Sequence, residues 1–372
     1  MGELVLSKVD KIYRSKKKNV HAVKALELAV KPGEIVALLG SSGCGKTSTL
    51  RMIAGFEDVS AGSITLDGKP IHTLSPSQRG VAMAFEAYSL YPPLTIRENI
   101  AFALKAQRVS AAEQEKRVMD MAEMLEISGI LDKYPSSVSG GQQQRASLGR
   151  ALVRQAGLYL LDEPMGQLEP QLRAILRGRI KHYLREHNCT TILVTHDQTE
   201  ANALADRIAV MEGGVLQQYA TPAELKARPA NLFTGTFIGE PPMNVFDAKV
   251  AVGAKTVTFA LTGGAALSFP ASVYDDKALA LLAGRSGVSL GIRPHALHVG
   301  KGPITGRVSA SQWLGDQTHV AIDVGGNTVV AVSQERVRAA VGSPLSLDVA
   351  AENLHVFNKD SGAALLHGGA LA

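Results

Sequence analysis

The pattern of apolar and polar residues divides the chain near residue 240. Up to about residue 236, short apolar runs alternate with helix-like stretches. The runs at 33–40, 158–164 and 190–196 are nearly continuous in apolar residues, which is typical of strands buried on both faces of a parallel sheet. Because parallel strands are joined by helical crossovers, the pattern predicts a layered α/β domain.

One helix is predicted over residues 110–128, where apolar residues recur at helical spacing. The residues on its apolar face are Val118, Met121, Ala122 and Leu125. We predict that this face packs into the core and does not line a cofactor site.

The second part of the chain is predicted to be a small β-barrel of the oligomer-binding (OB) type. It follows the linker-like GEPPMN and contains short strand-like runs. The runs at 319–324 and 328–332 flank a Gly-Gly turn and predict a hairpin. Its buried face would carry Val320, Ile322 and Val324. The segment from Ser361 is rich in Gly and Ala and is predicted to be flexible.

Composition excludes several classes of protein. The chain has 372 residues and two cysteines, Cys44 and Cys189, which are too few for a disulfide framework, so a reducing cytosol is expected. No apolar run is long enough to span a bilayer. The N-terminus does not have the pattern of a signal peptide. The net charge is +5, but the compact basic run at 14–18 is interpreted as a solvated turn, so nucleic acid is not an expected partner.

A phosphate-binding loop is predicted after the first parallel strand. The sequence GSSGCGKT matches G-x-x-x-x-G-K-[ST] and opens a helix. Its backbone N–H groups would surround phosphates, while Lys46 neutralises the β- and γ-phosphates and Thr47 holds Mg²⁺. The backbone N–H groups and Lys46 are also expected to lower the pKa of Cys44 and make that thiol reactive, and a buried, inert thiol is the alternative. The predicted nucleotide contacts of this loop are Gly40, Ser41, Ser42, Gly43, Cys44, Gly45, Lys46, Thr47 and Ser48.

Two further motifs carry candidate chemistry. In LYLLDEP, Asp162 ends a strand and is suited to Mg²⁺, and Glu163 can polarise water for attack. In VSGGQQQR, a polar glycine-rich segment begins a helix and predicts an anion site. This second site makes sense if it serves the nucleotide of another subunit. Its residues are Ser139, Gly140, Gly141 and Gln142.

In this order, the phosphate loop, SGGQ, LLDEP and VTHD resemble the ATP-binding subunits of ABC transporters. TPAELKARPANLFTGTFIGEPPMN, GIRP and WLGD resemble the carbohydrate-uptake importers of bacteria, the relatives of the maltose transporter ATPase. The resemblance covers residues 3 to about 357. It implies an α/β P-loop NTPase domain over 1–236 with a helical subdomain at about 87–155. An all-β, TOBE-like regulatory domain over 237–360 and a tail over 361–372 would follow.

The resemblance also implies roles for individual residues. Tyr13 would stack on adenine, and the SGGQ segment would contact the γ-phosphate of the opposite subunit's ATP. Asp162 would bind Mg²⁺, Glu163 would be the general base, and His196 would hold the γ-phosphate. Lys46 acts in catalysis as argued above.

This sequence departs from the family pattern at two places. Glu86 stands where the family has a Gln that touches Mg²⁺, so we expect a carboxylate ligand there. The surrounding loop, 86–99, is expected to dock the transmembrane permease subunits through Tyr88, Leu90 and Tyr91. The stretch after LLDEP has Gly166, Gln167 and Glu169 where the family usually reads S-x-L-D. These changes favour one half of an unequal ATPase pair, although drift in a working homodimer is the alternative.

The resemblance implies an ATPase that powers import of a sugar or a polyol such as glycerol. It would lie peripherally on the cytoplasmic face of the inner membrane, with permease subunits, a second ATPase subunit and, indirectly, an external solute-binding protein as partners. The alternatives are iron, polyamine or glycerol phosphate as the solute, or a weakly hydrolysing regulatory module. An ABC ATPase acting on nucleic acid or ribosomes is disfavoured, because the chain has one cassette and no coiled-coil insertion.

Overall fold

The computed structural model describes residues 2–14, 19–368 and 370–371. The chain divides into two compact units between Pro222 and Ala223, whereas the boundary expected from the sequence lies near residue 236. Most of the basic run at 14–18 falls outside the described residues.

The first unit contains ten strands and six helices among its described residues. In chain order they are β1 (Leu4–Tyr13), β2 (Val20–Val30), β3 (Ile35–Gly40), α1 (Lys46–Ala54), β4 (Ala61–Leu66), β5 (Lys69–Pro70), β6 (Val81–Ala84), α2 (Ile96–Ala106), α3 (Ala111–Met124), α4 (Gly140–Leu152), β7 (Leu158–Asp162), α5 (Pro170–Glu186), β8 (Thr191–Val194), α6 (Gln198–Leu204), β9 (Arg207–Glu212) and β10 (Val215–Ala220).

A six-stranded sheet, in the order β10-β9-β3-β8-β7-β6, forms the centre of this unit. All its pairs are parallel except β10 with β9. Every residue of β3, β7 and β8 is buried, which confirms the parallel strands predicted from the apolar runs. Because the carboxyl ends of parallel strands meet at one edge of a sheet, the loops after β3, β6, β7 and β8 meet there. A second, antiparallel sheet has the order β2-β1-β4-β5.

Helices α2, α3 and α4 lie in the region expected to form the helical subdomain. The apolar face predicted for α3 is confirmed, because its four residues are all buried. Helix α4 begins at a capping box, in which the Ser139 hydroxyl accepts from the N–H of Gln142 and the Gln142 side chain accepts from the N–H of Ser139. Within the described parts of the chain, no helix is both long and apolar enough to cross a membrane.

The second unit is mostly β-structure. Its elements are α7 (Pro222–Ala227), α8 (Leu232–Phe237), β11 (Asn244–Val252), β12 (Thr256–Leu261), β13 (Ala266–Pro270), α9 (Asp276–Ala283), β14 (Val288–Ile292), β15 (His298–Gly300), β16 (Ile304–Trp313), β17 (Thr318–Val324), β18 (Asn327–Ser333), β19 (Pro344–Asp348), β20 (Leu354–Asn358), β21 (Ala364–His367) and β22 (Ala370–Leu371).

Two sheets of this unit, one of seven strands and one of five, share a single apolar core. The predicted hairpin is confirmed as β17 and β18, with its three predicted inward residues buried. The segment expected to be a flexible tail instead contains β21, which pairs with β20. The reason is that Leu366 is fully buried, and the burial of its apolar side chain offsets the low strand propensity of the glycines and alanines around it.

Candidate nucleotide site

The phosphate loop joins the end of β3 to the start of α1, and two glycines let it take its shape. Gly45 has a φ of +104°, a conformation that other residues rarely adopt. A Cβ on Gly40 would lie 2.1 Å from the carbonyl oxygen of Met211. A Cβ on Gly45 would likewise lie 2.4 Å from the carbonyl oxygen of Ala22. Neither position therefore has room for a larger residue.

Lys46 lies across the inside of this loop. Its ammonium donates to the carbonyl oxygens of Gly40 (2.7 Å) and Ser41 (2.9 Å) and is largely buried. The first turn of α1 contains no acidic residue, so the partial positive charge of the helix N-terminus is available to an anion. Ser42 and Gly43 are exposed, and Thr47 and Ser48 are half-buried. The arrangement is suited to phosphate oxygens.

Cys44 differs from its predicted behaviour. Its side chain is 2% exposed, and its sulfur lies 3.6 Å from the Lys46 ammonium. Burial raises the pKa of the Cys44 thiol, although the nearby lysine acts in the opposite direction. The prediction of a lowered pKa is wrong, because the cost of burying a thiolate exceeds the attraction of Lys46.

Tyr13, at the end of β1, stands beside α1. Its hydroxyl is 3.1 Å from the hydroxyl of Ser48, and the Lys11 ammonium lies 4.8 Å from its ring centroid. The aromatic ring is thus anchored next to the phosphate loop. Adenine stacking on it stays a prediction.

The end of β7 supplies oxygen atoms suited to a divalent cation. Asp162 is 4% exposed, and its Oδ1 has no hydrogen-bond partner among the described residues. Burial, followed by the negative charges of Glu86 and Glu163, raises the pKa of Asp162 to about 6. Carboxylate and hydroxyl oxygens are the ligands that Mg²⁺ prefers, so Asp162, Thr47 and Glu86 fit the ion chemically. Glu86 itself is exposed.

The predicted general base and the predicted switch histidine lie together. Oε2 of Glu163 is 3.0 Å from Nδ1 of His196, and the His196 side chain is 66% exposed. Glu163 has a φ of +46°, which is unusual for a residue other than glycine. Its N–H donates to the carbonyl oxygen of Val194 at 2.9 Å. The loops after β7 and β8 therefore form one polar cluster.

The SGGQ segment lies at the N-terminus of α4. Ser139 and Gly140 are exposed, while Gly141 and Gln142 are half-buried. The Cβ position of Gly141 lies 3.1 Å from the carbonyl oxygen of Gln167, so the segment packs against the stretch that follows LLDEP. Exposed N–H groups at a helix N-terminus are available to an anion from outside this chain.

Sequence reasoning missed three supporting side chains. Gln144 of α4 bonds to the backbone of Glu163 and of Gln167. Arg173 of α5 forms an ion pair with Asp197 (2.9 Å) and donates to the carbonyl oxygen of Leu168. Gln144 is a polar residue at a buried position of its helix, whereas Arg173 is half-buried, and no sequence motif marks either contact.

Arg150, the third missed side chain, holds the loop after β6. Its guanidinium donates to the carbonyl oxygens of Ser89 (2.8 Å) and Tyr88 (3.1 Å) and lies 5.4 Å from the Tyr91 ring centroid. Tyr88 and Ser89 have φ values of +59° and +49°. The loop is thus fixed in an unusual backbone conformation by α4.

Family models match both units. The model "ABC transporter" matches residues 23–166, and the model "TOBE domain" matches residues 290–357. These matches confirm the fold class predicted from the sequence.

Relatives support the same assignment. The chain is 45% identical to the trehalose import ATP-binding protein SugC of Mycobacterium tuberculosis, over 70% of this chain and 65% of that protein, slightly less than two thirds of its length. It is 39% identical to the sn-glycerol-3-phosphate import ATP-binding protein UgpC of Cereibacter sphaeroides, over 98% of this chain and 100% of that protein. It is 40% identical to the trehalose/maltose import ATP-binding protein MalK of Thermococcus litoralis, over 93% and 96%.

A solved structure is also similar. The ATP-binding cassette MJ0796, in a dimeric post-hydrolysis state bound to ADP and Pi, is 27% identical with a TM-score of 0.56, and the match covers 59% of this chain and 98% of that chain. The chain therefore belongs to the ABC transporter family of ATP-binding proteins and carries a TOBE domain in its C-terminal unit.

Proposed function

We propose that the protein hydrolyses ATP. The observation that carries this proposal is the arrangement at one edge of the central sheet, where the Lys46 loop and the Glu163–His196 pair follow neighbouring strands. Glu163 accepts a proton from a water molecule, the water oxygen attacks the γ-phosphorus, and ADP leaves. His196 and Lys46 donate to the phosphate oxygens as charge develops.

Mg²⁺ is the expected companion of ATP, and when bound it neutralises phosphate charge. Thr47, Asp162 and Glu86 would hold it. The buried and otherwise unpartnered Oδ1 of Asp162 supports this assignment. Tyr13, beside α1, would stack on the adenine ring.

A second ATPase subunit, of the same or a different chain, completes the site in this proposal. The SGGQ segment of one subunit would contact the γ-phosphate held by the other. The dimeric MJ0796 structure supports the arrangement. Glu86, Gly166 and Glu169 favour an unequal pair. Glu86 alters the position that in the family touches Mg²⁺ and the attacking water, and Gly166 and Glu169 alter a segment that in the family crosses the dimer interface.

The protein would power import of a sugar or polyol as a peripheral subunit on the cytoplasmic face of the membrane. Two relatives are named for trehalose or trehalose/maltose import. Glycerol phosphate is the second candidate solute, since the relative named for it aligns over 98% of this chain. An external solute-binding protein would deliver the solute to the membrane subunits.

The surface near residues 86–99 is proposed to dock the permease subunits. Tyr91 and Phe102 have ring centroids 4.6 Å apart, and their side chains are 42% and 45% exposed. Such a paired aromatic surface is suited to the apolar face of a short helix. Arg150 holds the loop that carries it.

The test is ATP hydrolysis by the full chain with and without the permease subunits in lipid vesicles. We expect the permeases, with solute and solute-binding protein present, to raise the rate. A rate that the permeases leave unchanged would contradict the importer assignment, and a protein that binds ATP without turnover in either condition would indicate the regulatory module.

A further inference from the structure

A buried amide joins the SGGQ helix to the loop that carries Glu163. Gln144 lies in the second turn of α4 and is 3% exposed. Its Nε2 donates to the carbonyl oxygen of Glu163 at 2.8 Å, and its Oε1 accepts from the N–H of Gln167 at 2.9 Å. Both ends of the amide are therefore used, and a flipped amide would place oxygen against oxygen.

The contact falls on a residue whose backbone needs support. Glu163 has a φ of +46°, and such a conformation persists in a residue with a side chain only when its surroundings hold it. On one side, its N–H donates to Val194 of β8. On the other, its carbonyl oxygen accepts from Gln144 and, at a longer 3.3 Å, from the N–H of Gly166.

The rate of the proposed reaction depends closely on where the Glu163 carboxylate lies. The carboxylate of Glu163 contacts His196, and in the proposed reaction it must meet a water molecule in line with the γ-phosphate. A displacement of about 1 Å in a reacting group can lower a rate by about a hundredfold.

We propose that Gln144 is a positioning residue for hydrolysis: it fixes the backbone of Glu163, so that the carboxylate is aimed at the attacking water. This inference rests on the proposed role of Glu163 as the base. It also gives α4 a double task, because the same helix begins at the SGGQ segment that serves the other subunit's ATP.

The chain offers a matched control. Gln143 is the neighbouring residue on α4 and has the same side chain, but its amide donates to the carbonyl oxygens of Pro135 (3.0 Å) and Val138 (3.3 Å). Both contacts lie before the helix and away from Glu163. Replacing either glutamine by Met keeps the side-chain length and removes its hydrogen bonds.

The experiment measures kcat and KM for Mg-ATP in the full chain with its permease subunits, and single-turnover rates where turnover is slow. We expect Gln144→Met to lower kcat by about 10–100-fold with KM within about twofold, because the amide touches the base and not the nucleotide. Gln143→Met should stay within about twofold of wild type in both constants.

A double variant tests whether Gln144 acts through Glu163. If it does, adding Gln144→Met to Glu163→Gln should cause no further loss, because the group being positioned has already lost its function. A multiplicative loss in the double variant overturns the inference. So does a kcat within twofold of wild type for Gln144→Met.

One further variant, Gln144→Glu, and a comparison with Glu163→Gln alone separate the remaining outcomes. Gln144→Glu has the same size but presents an oxygen to the carbonyl of Glu163, so it should show the same loss of kcat. It carries the test if Gln144→Met does not fold, as judged by thermal unfolding and ATP binding. A near-normal rate for Glu163→Gln would remove the proposed base itself, whereas normal Gln144 variants beside a slow Glu163→Gln overturn only the positioning role.

Discussion

The phosphate loop and the Glu163 loop lie at the same edge of the central sheet, yet they are fixed in different ways. The phosphate loop owes its shape to its own glycines and to Lys46, which bonds back to the loop's carbonyls. The Glu163 loop is held from outside, by β8 and by α4. The proposed binding loop is thus held by contacts local in sequence, while the proposed loop for hydrolysis is held by contacts with distant segments.

The largest effect is expected at the base. Glu163→Gln should keep ATP binding and lower hydrolysis by about 10²–10⁴-fold, because the amide cannot accept the proton. The variant should also trap the closed, ATP-bound pair of subunits. Single-turnover hydrolysis and size-exclusion chromatography with ATP measure both. Glu123→Gln, at an exposed position of α3, is the control. Similar hydrolysis rates in the two variants would contradict the assignment of Glu163 as the base.

A smaller effect is expected at the departure from the family pattern. Glu86→Gln removes a negative charge that acts on Asp162, so repulsion of the γ-phosphate falls. We expect the Kd for Mg-ATP to fall by up to about tenfold, which corresponds to 1.4 kcal/mol. Transport need not rise if the partner subunit of the proposed unequal pair is matched to the carboxylate. Equilibrium binding with a fluorescent ATP analogue measures the change in Kd. Unchanged affinity, hydrolysis and transport would show that the carboxylate of Glu86 has no effect on function.

A third prediction concerns a buried carboxyl that bonds to Thr195, the residue before His196. Glu200 is 2% exposed and accepts from the Thr195 hydroxyl at 2.7 Å, and burial raises the pKa of Glu200 to about 7. Since the folded pKa exceeds the unfolded one, the folded state is destabilised as pH rises from about 4.5 through 7. Glu200→Gln should therefore stabilise the protein by about 1–3 kcal/mol at pH 8 and by little at pH 5.

Thermal unfolding at the two pH values measures this difference, and each kcal/mol corresponds to about 2–4 °C for a unit of this size. Glu123→Gln should show no such pH dependence. An equal shift for Glu200→Gln at both pH values would contradict a buried carboxyl whose protonation is linked to folding.

The smallest effect is expected at Cys44. Because its thiol is buried and its pKa is raised, iodoacetamide should modify it slowly in the native protein and leave ATP hydrolysis almost unchanged. Mass spectrometry before and after unfolding measures the modification. Rapid inhibition that ATP prevents, and that a Cys44→Ser variant escapes, would show that the phosphate loop opens more than its local contacts suggest.

The same contrast explains what the sequence could predict. The parallel strands, the hairpin of the second unit and the phosphate loop follow from patterns within a few residues of each other. The contact of Gln144 with Glu163 joins residues 19 apart, and that of Arg150 with Tyr88 joins residues 62 apart. No periodicity encodes such distances, because they depend on how α4 packs against β6 and β7. The low reactivity expected of Cys44 also depends on burial, which a motif does not report.

The hold of Arg150 on the loop after β6 has a consequence for the design of chimeric transporters. As the proposed docking surface for a permease, residues 86–99 form a compact target for grafting into another ATP-binding subunit. Yet the carbonyls of Tyr88 and Ser89 depend on a donor from α4, a helix about 20 Å long. If the α4 of the host lacks an arginine at this position, the two carbonyl oxygens would lose their donor. Tyr88 and Ser89 would then lose the contact that holds their left-handed backbone conformation. The transferable module is therefore the loop together with the last turn of α4.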